Sequence, residues 1–180
     1  MAGDIKIWDA NGDGEINSLD RIRQDLTDIP QIVYGVNLGI TWKQFDLSLL
    51  FQGQAKVINT IQETWVDPSS GGAGNLMQWW TEDMWTPENT DGTKPRLGTP
   101  NKINGTTFTN INAAFFKLKN AEIGYTLPVA VREKIGVANA RVYLSGTNLF
   151  SFDHMRGMGI DPEATGSGYG GWALNPQRLI

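Results

Sequence analysis

The chain has 180 residues, a formal net charge of −4, 40% hydrophobic residues, 21 glycines, seven tryptophans and no cysteine. The missing thiols exclude a disulfide framework and a Cys-ligated metal site. The acidic balance, with no basic block, leaves no electrostatic footprint for nucleic acid. No apolar run reaches 18 residues, which excludes a transmembrane helix, and Met1-Ala2-Gly3-Asp4 is polar at once, unlike a secretory leader.

Residues 1–32 carry a compact acidic loop. Asp9, Asn11 and Asp13, followed by Gly14, fit the calcium-loop pattern D-x-[DN]-x-[DN]-G. That chemistry needs hard oxygen donors converging on one centre: side chains from Asp9, Asn11 and Asp13, the backbone carbonyl of Glu15, and the sharp turn at Gly14. Asn17 takes the ninth position, where a ligand often acts through water, and Asp20 the twelfth. The twelfth ligand is usually a bidentate Glu, so the shorter Asp20 departs from the pattern. The expectation is a Ca2+ site made by these six residues. A metal-free turn held by Asn and Asp side chains is the alternative.

Residues 33–53 form the feature around which the rest is arranged. Tyr34, Val36, Leu38, Ile40 and Trp42 share one parity; after Lys43-Gln44, so do Phe45, Leu47, Leu49 and Phe51. Gly, Asn, Thr, Ser, Asp and Gln take most of the other positions. Period-2 alternation puts one set on each face of a strand, which predicts an antiparallel hairpin with arms of about ten and eight residues. Two readings of the apolar face stay open here: half of a soluble core, or the lipid face of a transmembrane barrel strand.

Residues 54–112 read as a long irregular region. Leu76, Trp79, Trp80 and Met84 fall near helical spacing, which predicts a short helix around 75–84. Trp79, Trp80 and Trp85 read as local packing of that loop, with stacking on sugar rings as the alternative. Glu82 and Asp83 are adjacent and point apart, so they do not make a glycosidase pair. Residues 113–150 return to strand pattern, over Phe115–Leu127 and Ala140–Phe150. Between them lies a connector, 129–139, with one helical turn closed by Gly136. Residues 151–180 are again loop. His154, the single histidine, has no partner set for metal or nucleophilic chemistry and reads as a solvated residue. The glycines of 166–171 lack the helix and Lys of a phosphate loop, and the Asn104-Gly-Thr106 acceptor triplet is too short to carry an argument. No convergent acid or nucleophile set exists, so no enzyme is expected.

The connections alternate short, long, moderate and long, which gathers the long loops at one end of an up-and-down sheet, as in outer-membrane barrels. In order along the chain, GDIKIWDANGDGEIN, YGVNLGITWKQFDLSLLFQG, WTPEN with PRL, FFKLKNAEIGYTLP and KIGVANARVYLSGTNLFSF with GIDPE resemble the C-terminal region of the SusC/RagA family of TonB-dependent transporters of Bacteroidetes. The resemblance covers essentially the whole chain. It implies an all-β, antiparallel segment of a 22-stranded transmembrane barrel in the bacterial outer membrane. It also implies a SusD-like surface lipoprotein and TonB as partners, and import of oligosaccharides or peptides. Under it, the apolar parity of the hairpin faces lipid, Lys43-Gln44 is a periplasmic turn and the acidic loop is extracellular. The family's plug, TonB box, leader and last aromatic-ended strand have no counterpart here, so a piece of a longer protein is expected. The rival expectation is a secreted, calcium-dependent, carbohydrate-binding β-sandwich.

Overall fold

The computed structural model describes residues 2–61, 76–97 and 106–163. Among these the chain forms two compact units, one from the segments before Pro30 and between Ile58 and Asn112, the other from Pro30–Val57 and Ala113–Glu163.

The second unit is a four-stranded antiparallel sheet. Its strands are β1 (Ile32–Trp42), β2 (Phe45–Ala55), β5 (Phe115–Thr126) and β6 (Arg141–Asp153), in the order β1-β2-β5-β6. The first hairpin is regular from end to end, pairing Ile32 with Ala55 and Trp42 with Phe45. Its two-residue turn puts Lys43 at φ 55°, a positive value that such hairpin turns require and that Gly usually supplies. Both arms are 11 residues long, slightly longer than the alternation predicts.

The outer strands depart from simple alternation. The β2–β5 register shifts between Leu50 and Phe51, leaving Lys119 without a partner on β2. Against β6, Lys119 stands opposite the stretch Asn148-Leu149, with Asn148 at φ 52°. A bulge adds one residue to one strand and so reverses the parity of everything beyond it. Ala121, Ile123 and Tyr125 therefore share a face with Phe116 and Leu118. That face also carries Val142, Leu144, Phe150 and Phe152, and it continues the apolar face of the hairpin. The rings record this: Phe51 stacks on Phe116 with centroids 5.4 Å apart and lies 6.4 Å from Phe150, and Leu118 is buried among them.

The apolar face is exposed. Ile40 is 61% accessible, Trp42 64%, Val142 66% and Leu144 61%. A β-sandwich buries such a face between its sheets, so this open sheet does not have the architecture of the rival reading. The connector between β5 and β6 forms α2 (Val129–Lys134). It ends in a Schellman motif, with the Gly136 N–H donating to Glu133 O and the Val137 N–H to Arg132 O. Gly136 supplies the left-handed φ of 70° that this ending needs.

The first unit shows that residues 54–112 are less irregular than their sequence reads. Strand β3 (Ile58–Thr60) pairs with β4 (Asn110–Asn112), closing the base of the long segment. The predicted helix is present as a single turn, α1 (Gln78–Thr81), with Trp80 buried against Phe108. The WTPEN stretch folds into a tight turn in which the Thr86 and Asn89 amides donate to each other's carbonyls. Gly3 and Asp4 dock on the return limb: Arg96 N–H donates to Gly3 O, and the Arg96 side chain bonds Asp4 at 2.7 Å.

Candidate functional site

Three groups of residues carry chemistry: the polar face of the sheet at each of its ends, and the acidic loop. On the polar face near the Lys43-Gln44 turn, Arg141 on β6 reaches across β5 to Asp46 on β2 and also bonds Glu122 at 2.7 Å. The crossing is made over Gly124, where an added Cβ would collide with the guanidinium. The Tyr143 ring supports the same guanidinium with its centroid 5.2 Å away.

At the other end of the same face, Lys117 is 1% exposed. Its ammonium bonds Asp161 at 2.5 Å and Glu163 at 2.9 Å, and Lys119 at the bulge bonds Glu163 at 2.7 Å. The chain after β6 therefore folds back as a strap over the polar face. Met155 and Ile160 of the strap are buried, and Gln54 donates to Pro162 O at 3.2 Å. Burial pushes the Glu163 carboxyl up, but the Lys119 and Lys117 hydrogen bonds outweigh it and hold that group below its ordinary value.

The acidic loop is closed on itself. Asp9 accepts from the Gly12 N–H at 2.7 Å and the Gly14 N–H at 2.8 Å, and Asp13 from the Glu15 N–H at 2.8 Å. Asp20 accepts from the Ala10 N–H at 2.9 Å and the Asn17 N–H at 2.7 Å. Asn17 caps the 3-10 turn Ser18–Asp20 through the Leu19 N–H. The Asn17 amide and its neighbours lower the Asp20 pKa. Asn11 bridges to Asp13, and Glu15 is exposed. The oxygen types suit a hard cation, and the Asp9 oxygens, each bonded to one amide, keep a second lone pair, whereas Asp20 Oδ1 accepts from both Ala10 and Asn11. Among the described residues, however, no three His, Cys, Asp or Glu side chains converge on one centre.

The other sequence candidates separate. Glu82 accepts from Gln78 at 2.8 Å, whereas Asp83 is taken up by the Thr93 side chain and N–H, which lower its pKa. His154 is exposed. The glycines of 166–171 and the Asn104 triplet lie outside the described residues.

No family model matches the sequence. Two curated relatives from Formosa agariphila do. TonB-dependent receptor P3 is 34% identical over 87% of this chain, and TonB-dependent receptor P26 is 31% identical over 95%. Solved structures of the RagAB peptide importer superpose as well. Its "open-open" state gives a TM-score of 0.63 and the RagAB peptide transporter structure 0.65, each at 28% identity over 84% of the chain. The chain is SusC/RagA-like, similar to a segment of these TonB-dependent receptors. It spans 15% and 17% of the lengths of the two curated relatives.

For a SusC/RagA-like segment, the sequence reading found the hairpin and the acidic loop but missed both ion clusters. Lys117 and Arg141 stood on strands already assigned. The only signal was an alternation interrupted by lysine at 117 and 119, and an acid pair in the GIDPE block.

Proposed function

We propose that this chain is part of the wall of an outer-membrane importer. Its apolar face lies against lipid and its polar face lines the lumen. One observation carries this reading: a continuous exposed apolar face, edged by aromatic rings at both ends, backed by a polar, ion-paired face. Tyr34, Phe51, Phe116, Phe150 and Phe152 edge the face near the loops; Trp42, Phe45 and Tyr125 edge it near the turn. Tyr34 and Trp42 stand roughly 26 Å apart along β1 at the ~3.3 Å rise of a strand. At barrel tilts of about 40° that becomes roughly 20 Å, close to the ~25 Å apolar band of such barrels. No helix among the described residues is long and apolar enough to cross a membrane, so strands would do the crossing.

The RagAB neighbours support a SusD-like surface lipoprotein as partner and short peptides as cargo. Oligosaccharides remain the second cargo class for this family. Energy from TonB belongs to the same reading, and no catalysis is part of it. Ca2+ held by Asp9, Asn11, Asp13, Glu15, Asn17 and Asp20 would stiffen the acidic loop on the external side, a reading supported by the donor spacing. The secreted sandwich has no observation in its favour.

Spin labels on single cysteines test the membrane assignment, using the complete receptor in lipid vesicles. Labels at Leu38, Ile40 and Leu144 should be relaxed by oxygen and shielded from aqueous nickel, with the reverse at Asn37 and Ser145. Equal aqueous access on both faces would sink the reading. Titration calorimetry with calcium tests the loop: absence of heat at millimolar calcium removes the cation.

A further inference from the structure

The first unit contains a cavity of about 430 Å³ between the Gly3–Lys6 segment and the WTPEN turn region, within the size range of small-ligand sites. Its charges are unevenly committed. Asp4 is taken by Arg96. Lys6 and Lys94 also line it, and neither has a carboxylate within 4 Å among the described residues. The Lys94 ammonium sits 5.6 Å from the Trp80 ring centroid and 6.0 Å from that of Phe108, and among the described residues it hydrogen-bonds Thr93 at 3.4 Å. An ammonium has three donors, so the Lys94 group still has donors to offer. Trp85, whose ring lies against Gly3, and Phe108 supply apolar wall.

We infer that this cavity binds the carboxylate of a short acidic ligand of dipeptide or disaccharide size. Lys6 and Lys94 would hold the carboxylate, and an apolar face of the ligand would lie against Trp85 and Phe108. An entering carboxylate would make charge-assisted hydrogen bonds with ammonium groups that have no carboxylate within 4 Å among the described residues. A neutral ligand of the same size gains only the ring contact. The site goes beyond the import reading and does not rest on the strands crossing a membrane.

The test is calorimetry on the complete receptor in detergent with three probes: alanyl-glutamate, digalacturonate and neutral digalactose. Binding of at least one acidic probe, at least tenfold tighter than digalactose and weakened at high salt, is the expected result. The two acidic arms separate a peptide source from a uronate source. Lys6→Gln with Lys94→Gln should lower acidic-probe affinity at least tenfold, and Lys94→Arg should retain most of it. Circular dichroism and gel filtration establish that the variants are folded. Equal binding of acidic and neutral probes, no binding of either acidic probe, or unchanged affinity in the folded double variant would overturn the assignment.

Discussion

The two ends of the four-stranded sheet use the same device in opposite surroundings. Near the loops, Tyr34 on β1 crosses Gly53 on β2 and donates its hydroxyl to Phe115 O on β5 at 3.0 Å. Near the turn, Arg141 on β6 crosses Gly124 on β5 to reach Asp46 on β2. In each case a side chain spans a neighbouring strand, and the glycine below leaves it room. The first crossing is on the apolar face and joins a cluster of rings. The second is on the polar face, with its partners one-third exposed. With lipid against the apolar face, as proposed above, the Tyr34 bond would be shielded from water, and a shielded link is worth more than the same link in contact with water, which screens charges and competes for donors. The loop end should therefore hold the sheet together while the turn end aligns it.

The largest effect expected from this contrast is at Lys117, behind the loop end. Lys117→Met leaves Asp161 without its ammonium partner and Glu163 with Lys119 alone. Removing one member of a buried pair costs about 3–5 kcal/mol. Here the carboxylates keep 17% and 25% exposure and Lys119 remains, so roughly 2–3 kcal/mol is expected. The Met158 amide, bonded to Met155 O within the strap, reports it. Its hydrogen exchange should accelerate by about 30- to 150-fold, at 1.4 kcal/mol per tenfold. Arg141→Met should leave the exchange of the turn-end strands nearly unchanged. If the two substitutions act equally, the ends do not differ as argued.

A smaller pair of effects comes from filling the two crossings. Gly53→Val displaces the Tyr34 ring from its bond to Phe115 O and from its stack on Phe116, at a cost of about 1–3 kcal/mol for overpacking. Gly124→Val displaces a guanidinium that finds water readily, and valine suits a strand better than glycine, so the net change should be smaller. Thermal midpoints of the receptor in detergent should fall further for Gly53→Val. In the Gly124→Val background, Arg141→Ala should add little, since the crossing is already lost. Full additivity there would show that Arg141 does not act through Gly124.

How much of this was written in the sequence follows from the range of each contact. The hairpin was legible because period-2 alternation runs through it without interruption, and its turn lies between two intact runs. The hydrogen bonds of the acidic loop were legible in kind, since Asp9, Asp13 and Asn17 bond amides within five positions. The bulge was not. Lys119 and Asn148 carry no glycine or proline to mark it, so the change of parity in β5 and β6 shows only when the strands are paired. The strap was hidden for a related reason: Lys117 meets its partners 44 and 46 residues away, and Arg141 meets Asp46 across 95. Local pattern cannot register such pairs. The two-stranded closure of residues 58–112 was missed because three-residue strands are too short to show a period.

The smallest effect distinguishes the ends by acid. Glu163 is the member of the strap cluster whose carboxyl is held below its ordinary value of 4.5, through Lys119 and Lys117. A group with a lowered folded pKa binds its proton more weakly in the folded strap than in the released one. Its contribution is therefore complete above about pH 4.5 and is lost as pH falls through the lower, folded value. Protonation turns the acceptor neutral while Lys117 stays buried, so the strap opens from the Glu163 side. Exchange at Met158 should be flat from pH 7 to 5, once corrected for intrinsic rates, and rise below about 4.5. Glu163→Gln should abolish that rise and raise the exchange at neutral pH to the acid level. A rise that persists in Glu163→Gln would show that Glu163 does not carry the acid response.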